Sequence, residues 1–185
     1  MTVAEYFETP ESVVPQELIF GTMRMAESPS CTHQEAVGAL FLALHGHVVA
    51  AGKGTVWLAP LDVVLDADRA LVVQPDLLVV LPGGPAVIMD RIHGAPDLVV
   101  EVVSPNPRIG TVRERLGWFA TYGVRECWLV HPISHEVDVW QFDHGDVSRR
   151  SVYGPDERIL SGVLPEFDLS PVAILGYPAS GRGGA

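Results

Sequence analysis

Lysine is almost absent from this chain. Lys53 is the single lysine among 12 basic residues, which face 23 acidic ones for a formal net charge of −11. An acidic balance of this size argues against non-specific wrapping of nucleic acid by the whole surface, which needs clustered Lys and Arg to neutralise phosphates. It leaves room only for a local basic patch, and the densest group is Arg108, Arg113 and Arg115, with Arg125 further on. Long apolar runs are also missing. The longest are strand-sized, which excludes a membrane-spanning helix. Cysteine is scarce: Cys31 and Cys127 have no metal-ligand spacing and read as free buried thiols of a cytoplasmic protein. The opening "MTVAEYFETP" has neither a basic n-region nor an apolar h-region, so no signal peptide is predicted. There is no internal repeat and no long linker.

What remains is globular in composition, with 48% hydrophobic and 19% charged residues over 185 positions. That length predicts one domain over residues 1–178, with a disordered tail at 179–185. "TVAEYFETPE" suits a short helix, and "QELIFGTMRMAES" alternates around Gly21 as a hairpin would. "SPSCTHQEAVGALFLALHGHVVAAG" opens on serine caps and carries Val37, Leu40, Phe41 and Leu44 at helical spacing, stopping at Gly52. "GTVWLAPLDVVLD" reads as one or two strands broken at Pro60. "ALVVQPDLLVVLP" reads as another strand, broken near Pro75. "PDLVVEVVSP" is strongly strand-like. "RIGTVRERLGWFATYGV" reads as a helix with Val112, Leu116 and Phe119 on one face and Gly123 as its stop. Strands "RECWLVHP", "EVDVWQFDHG" and "VSRRSVYG" follow. The class is α/β (α+β), and the strand–helix–strand passage from "LVVEVV" to "CWLVH" predicts a parallel pair.

Two carboxylates sit inside apolar, β-branched runs: Asp76 in "VVQPDLLVV" and Glu101 in "DLVVEVVSP". A buried ionised carboxylate is costly unless paired. If the strands are neighbours, the acids converge, and a hard divalent cation is one way to make both ionise. The structural alternative is that each lies at a strand end and pairs with an arginine.

The ordered set "ELIFG", "SPSCTHQ", "APLDVVLD", "VQPDLLVV", "GAPDLVVEVVSPN", "YGVRECWLVHP" and "LPEFDL" resembles the Uma family, bacterial restriction endonuclease-like proteins of the PD-(D/E)XK nuclease superfamily. The resemblance runs from about Glu17 to Leu169. It implies a restriction-endonuclease-like core, a central mixed β-sheet flanked by helices. It also implies Mg²⁺ (or Mn²⁺) held by Asp76 and Glu101 with the Val102 carbonyl beside them, Glu17 as an accessory acid, and His33 at the "HQ" pair. The superfamily lysine, two residues after the second acid, is Val103 here. The family's lysine on the next helix, and the Asp a turn before it, fall on Arg115 and Thr111. Arginine keeps the charge but cannot serve as a base.

The resemblance therefore implies a Mg²⁺-dependent DNA endonuclease with Asp76, Glu101, Arg115 and Glu17 in its site. The alternative is a catalytically degenerate nuclease fold acting as a binding module. Lys53, in a glycine-flanked turn, reads as a surface residue. His45 and His47 face different sides of the long helix, and Asp62, Asp66 and Asp68 read as a solvated hairpin end. The four tryptophans read as packing residues. The apolar face of "EVDVWQF", with Val137, Val139 and Trp140, together with two-strand cutting, predicts a homodimer.

Overall fold

The computed structural model describes residues 1–10, 14–104 and 109–176. The chain opens with a short helix α1, Val3–Phe7, closed at its start by a reciprocal cap between Thr2 and Glu5. A hairpin follows, β1 (Gln16–Ile19) and β2 (Thr22–Met25). Its turn residues Phe20 and Gly21 both have positive φ, 48° and 81°, as a primed two-residue turn requires. Helix α2, Cys31–Leu44, is capped by Ser30, whose hydroxyl accepts from the His33 N–H. It runs into a π-helical turn, His45–Val49, and the chain reverses at Gly52.

Seven strands come next: β3 (Thr55–Leu58), β4 (Val63–Asp66), β5 (Leu71–Val73), β6 (Leu77–Val80), β7 (Val87–Ile88), β8 (Ile92–His93) and β9 (Leu98–Val102). Helix α3, Val112–Thr121, leads through Gly123 (φ 95°) to β10 (Glu126–His131), β11 (Glu136–Asp143) and β12 (Asp146–Tyr153). A last helix, α4, covers Pro171–Leu175.

The mixed α+β class is as expected, but the strands form two mixed sheets rather than one. Their orders are β2-β1-β5-β4-β8-β7 and β12-β11-β10-β9-β6-β3. The predicted parallel pair is β9 with β10, joined across α3. Side chains alternate on the second sheet. Leu77, Val79, Leu98, Val100, Trp128 and Val130 pack on Ala36, Leu40 and Leu44 of α2. Leu78, Val80, Val99, Cys127 and Leu129 face the other way, onto Leu116 and Phe119 of α3 and onto the first sheet. Most of this core is fully buried, which explains why these strands read as unbroken apolar runs.

Several expectations change. "ALVVQPDLLVV" is not one strand: β5 lies in the first sheet and β6 in the second, and Gln74-Pro75-Asp76 is the crossing between them. Val112 is exposed, while Leu116 and Phe119 are buried as predicted. Val137 and Val139 are already buried within this chain, and β12 flanks β11, so that face gives no reason for a dimer. Cys127 is buried, but Cys31 is exposed on the first turn of α2. Trp128 is in the core, whereas Trp57 is partly exposed. Asp68 is exposed as expected; Asp62 instead pairs with Arg91 and accepts from Gln74. Among the described residues no helix is long and apolar enough to cross a membrane. The predicted tail and Arg108 of the basic patch lie outside the described residues.

Candidate active site

Period-two alternation explains how the acids meet. Asp76 shares a face with Leu78 and Val80, and Glu101 shares one with Val99, and both are the face that α3 covers. Strands β6 and β9 pair antiparallel with Leu77 opposite Val100, so one further step sets Asp76 opposite Glu101. Glu17 arrives from the first sheet, because β1 pairs with β5 just before the chain crosses over. Asp76 and Glu17 are buried, and Glu101 is nearly so. All three line a small cavity of about 90 Å³, together with Gln74 and Arg115.

Arg115 projects from α3 between the two glutamates. Its Nη1 donates to Glu17 Oε2 at 2.8 Å and Oε1 at 3.0 Å. Its Nε and Nη2 donate to Glu101 Oε1 at 3.0 and 2.5 Å. The guanidinium also lies 5.6 Å from the Phe119 ring centroid. Burial by itself opposes the charge on Arg115, but Glu101 and Glu17 outweigh it and raise its pKa further above neutrality. The Glu101 pKa is raised as well, which for a carboxylate disfavours the charge: burial pushes it up to about 7, helped by the charges of Asp76 and Glu17, while Arg115 pulls it back. Among the described residues, Arg115 is the cation that touches both Glu17 and Glu101.

Asp76 is fixed from two sides. Its Oδ2 accepts from the Val102 N–H at 2.8 Å and lies 3.0 Å from His33 Nε2. His33 is buried, and it reaches Asp76 because the Ser30 cap starts α2 at the right height. Thr111 lies elsewhere in role. It caps α3, accepting from the Glu114 N–H, while Glu114 accepts from the Thr111 N–H and hydroxyl. Those bonds hold Glu114 below the usual carboxylate range. Val103 donates its N–H to the Val130 carbonyl and packs beside the core. Lys53 pairs with Glu166, away from the cavity.

The structure therefore brings Glu17, Asp76, Glu101, Arg115 and His33 together, with the Val102 backbone beside them. It leaves Thr111 at the helix cap. Sequence reasoning missed Gln74, whose backbone N–H donates to Glu17 Oε1 at 2.6 Å. The signal was a polar residue two places before Asp76 in an otherwise apolar run. Among the described residues, no group of three or more His, Cys, Asp or Glu is arranged to hold a metal ion. The candidate donors are thus the two facing carboxylates, Asp76 and Glu101. Two hard oxygen donors suit Mg²⁺, which takes one or two carboxylates and completes its shell with water and phosphate.

A family model described as a putative restriction endonuclease, Uma2, matches residues 3–172. The chain belongs to the Uma2 family. Among solved structures, a crystal structure of a putative nuclease belonging to DUF820 from Anabaena variabilis superposes with a TM-score of 0.78. It is 20% identical, and the match covers 95% of this chain and 97% of that one, a likeness of fold. No curated protein matches this chain. The description of the Uma2 family as putative restriction endonucleases supports a nuclease.

Proposed function

We propose that this chain is a metal-dependent nuclease that hydrolyses phosphodiester bonds of DNA at the Asp76–Glu101 cavity. The observation that carries the reading is the pair of facing carboxylates, with Glu101 pushed up to about 7 beside Asp76 even though Arg115 already touches it. A Mg²⁺ or Mn²⁺ ion held by these two acids would polarise a phosphoryl oxygen and make water nucleophilic at neutral pH. The Val102 carbonyl is the adjacent candidate for a further donor.

The chain's own groups have separate tasks. The Val102 N–H and His33 hold Asp76 in one orientation. Arg115 fixes the Glu101 carboxylate and keeps a positive charge near the developing charge of the transition state. It stays protonated, so it takes no part in proton transfer. Glu17 anchors Arg115 from the first sheet. Cutting both strands of a duplex calls for two such sites, for which a two-fold dimer is the commonest arrangement. The free thiols suit a cytoplasmic setting.

The test is cleavage of plasmid and of oligonucleotides in Mg²⁺ and in Mn²⁺. Wild type cuts and Asp76→Ala does not; cleavage undiminished in Asp76→Ala removes the assignment. A second reading, a degenerate fold that binds without cutting, is favoured by the closed Arg115 clamp on Glu17 and Glu101. It predicts that wild type is inert and that an Arg115→Lys, Thr111→Asp double variant gains activity.

A further inference from the structure

Most lysine and arginine side chains among the described residues pair with an acid, as Arg91 does with Asp62, Arg125 with Asp97 and Arg150 with Asp138. Arg24, Arg69, Arg113 and Arg149 are exposed and have no carboxylate partner among the described residues. Two of them, Arg24 and Arg69, are brought by the first sheet to the side of α3.

The hairpin register places Arg24. It stands opposite Glu17 across the β1–β2 pair, so the two side chains share one face of the hairpin. That face is turned to α3, because Ile19 on it belongs to the core that holds Leu116 and Phe119. The Thr111 hydrogen bonds lower the Glu114 pKa, and the Arg24 charge adds a smaller push in the same direction, which sets Arg24 near the first turn of α3. Ala26, two residues beyond Arg24, lines the carboxylate cavity.

Arg69 comes from the turn between β4 and β5 and is held in place. Its guanidinium carbon lies 5.7 Å from the Phe20 ring centroid, and its Nη1 donates to the Tyr122 hydroxyl at 3.4 Å. Phe20 in turn meets Trp118 edge-on, with ring centroids 6.1 Å apart. Neither partner of Arg69 is an anion, so the guanidinium is oriented without being spent on an ion pair. Glu114, Trp118 and Tyr122 recur every four residues along α3, so they line one face about 12 Å long. The N-terminal end of that face reaches the cavity, where Gly110 lies against the Trp118 ring.

We propose that this face is a track for the backbone of duplex DNA. One phosphate beside the cleaved bond sits at Arg24, and another further along the same strand sits at Arg69. Such contacts fix the position of the duplex and carry no sequence information. A chain of net charge −11 needs a local cationic surface of this kind to receive a polyanion. The place of the cleaved bond rests on the nuclease reading above, but the two phosphate contacts need no turnover.

The experiment is fluorescence anisotropy of the full chain with a short labelled duplex in Ca²⁺, over a series of KCl concentrations. Each phosphate contact contributes about 0.9 to the slope of log affinity against log salt. The double variant Arg24→Gln, Arg69→Gln should therefore show a slope about 1.8 shallower than wild type. The charge-keeping Arg24→Lys, Arg69→Lys should hold the wild-type slope. Arg149→Gln is the control. It removes an equally unpaired charge opposite Gln141, on the face of the second sheet that carries Glu126 and Trp128 and is turned away from α3, and should leave the slope unchanged.

The track is overturned if the glutamine pair keeps the wild-type slope, if the lysine pair loses it equally, or if Arg149→Gln flattens it as much per charge. It is equally overturned if wild type does not bind the duplex. Should the glutamine pair fail to fold, Arg24→Gln alone decides, with a slope about 0.9 shallower expected and no change contradicting the proposal. A slope that flattens in the glutamine pair, without cleavage by wild type in Mg²⁺ or Mn²⁺, sinks the catalytic reading alone. Cleavage by wild type with no change of slope in the pair sinks the track alone.

Discussion

Replacing Arg115 with Met would keep much of the side chain's length and apolar stem while removing the charge that joins two sheets. Glu17 on β1 and Glu101 on β9 would then face each other across the cavity with no cation between them. The side chains of Arg115, Glu17 and Glu101 are only 12%, 5% and 16% exposed, so water screens the loss poorly. Breaking a buried ion pair by removing one partner costs about 3–5 kcal/mol. For a chain of this size each kcal/mol moves the melting temperature by about 2–4 °C, so the variant should melt about 6–20 °C lower. Neutralising the stranded acids as well, in Glu17→Gln, Glu101→Gln, Arg115→Met, should recover most of that loss. The assay is a thermal melt at neutral pH without divalent metal, followed by urea titration to convert the shift to free energy. A loss below about 1 kcal/mol is what an exposed pair would give, and it would refute the clamp.

Stability should also depend on pH in a definite direction. Glu101 has its pKa raised in the folded state, from an ordinary value near 4.5 to about 7. Between those values the folded chain holds more protons than the unfolded one, so Glu101's contribution to stability is lost as pH rises through this window. Glu101→Gln should flatten that slope in metal-free melts; an unchanged slope assigns it to other groups. Thr111→Ala removes the α3 cap and should cost about 1 kcal/mol by denaturant titration, without altering any response to metal. A lost metal response would instead put Thr111 in the site. His33→Ala removes a buried partner of Asp76 and should cost about 1–3 kcal/mol in the same titration, and a neutral result would mean the contact is absent in solution.

Much of this architecture was legible in the residues because burial leaves a strong pattern. The runs around Val99 and Leu129 are apolar on both faces, and the helix between them required a parallel crossover. The hairpin at Phe20-Gly21 and the Ser30 cap carried local signals of the same quality. Asp76 and Glu101 stood out because each is a charge within such a run. The second sheet did not stand out. Pro75 marked a break, but a break looks the same whether the chain continues in one sheet or crosses to another. The dimer face failed for a related reason. Val137 and Val139 alternate with polar residues, and alternation does not say whether the partner is another chain or the core of the same chain. Gln74 was overlooked because its role depends on the crossing itself, which places its backbone at Glu17 and its side chain at Asp62.

The most direct test of the central claim is the melting temperature of wild type and Glu101→Gln with and without millimolar Mn²⁺. A ligand at roughly a hundred times its dissociation constant stabilises the folded state by about 2.7 kcal/mol. At about 2–4 °C per kcal/mol, wild type should melt about 5–11 °C higher with the metal. Glu101→Gln, which keeps the shape and removes the charge, should show no shift. A wild-type protein that melts at the same temperature with and without Mn²⁺ would contradict the account and leave Asp76 and Glu101 as structural partners of His33 and Arg115.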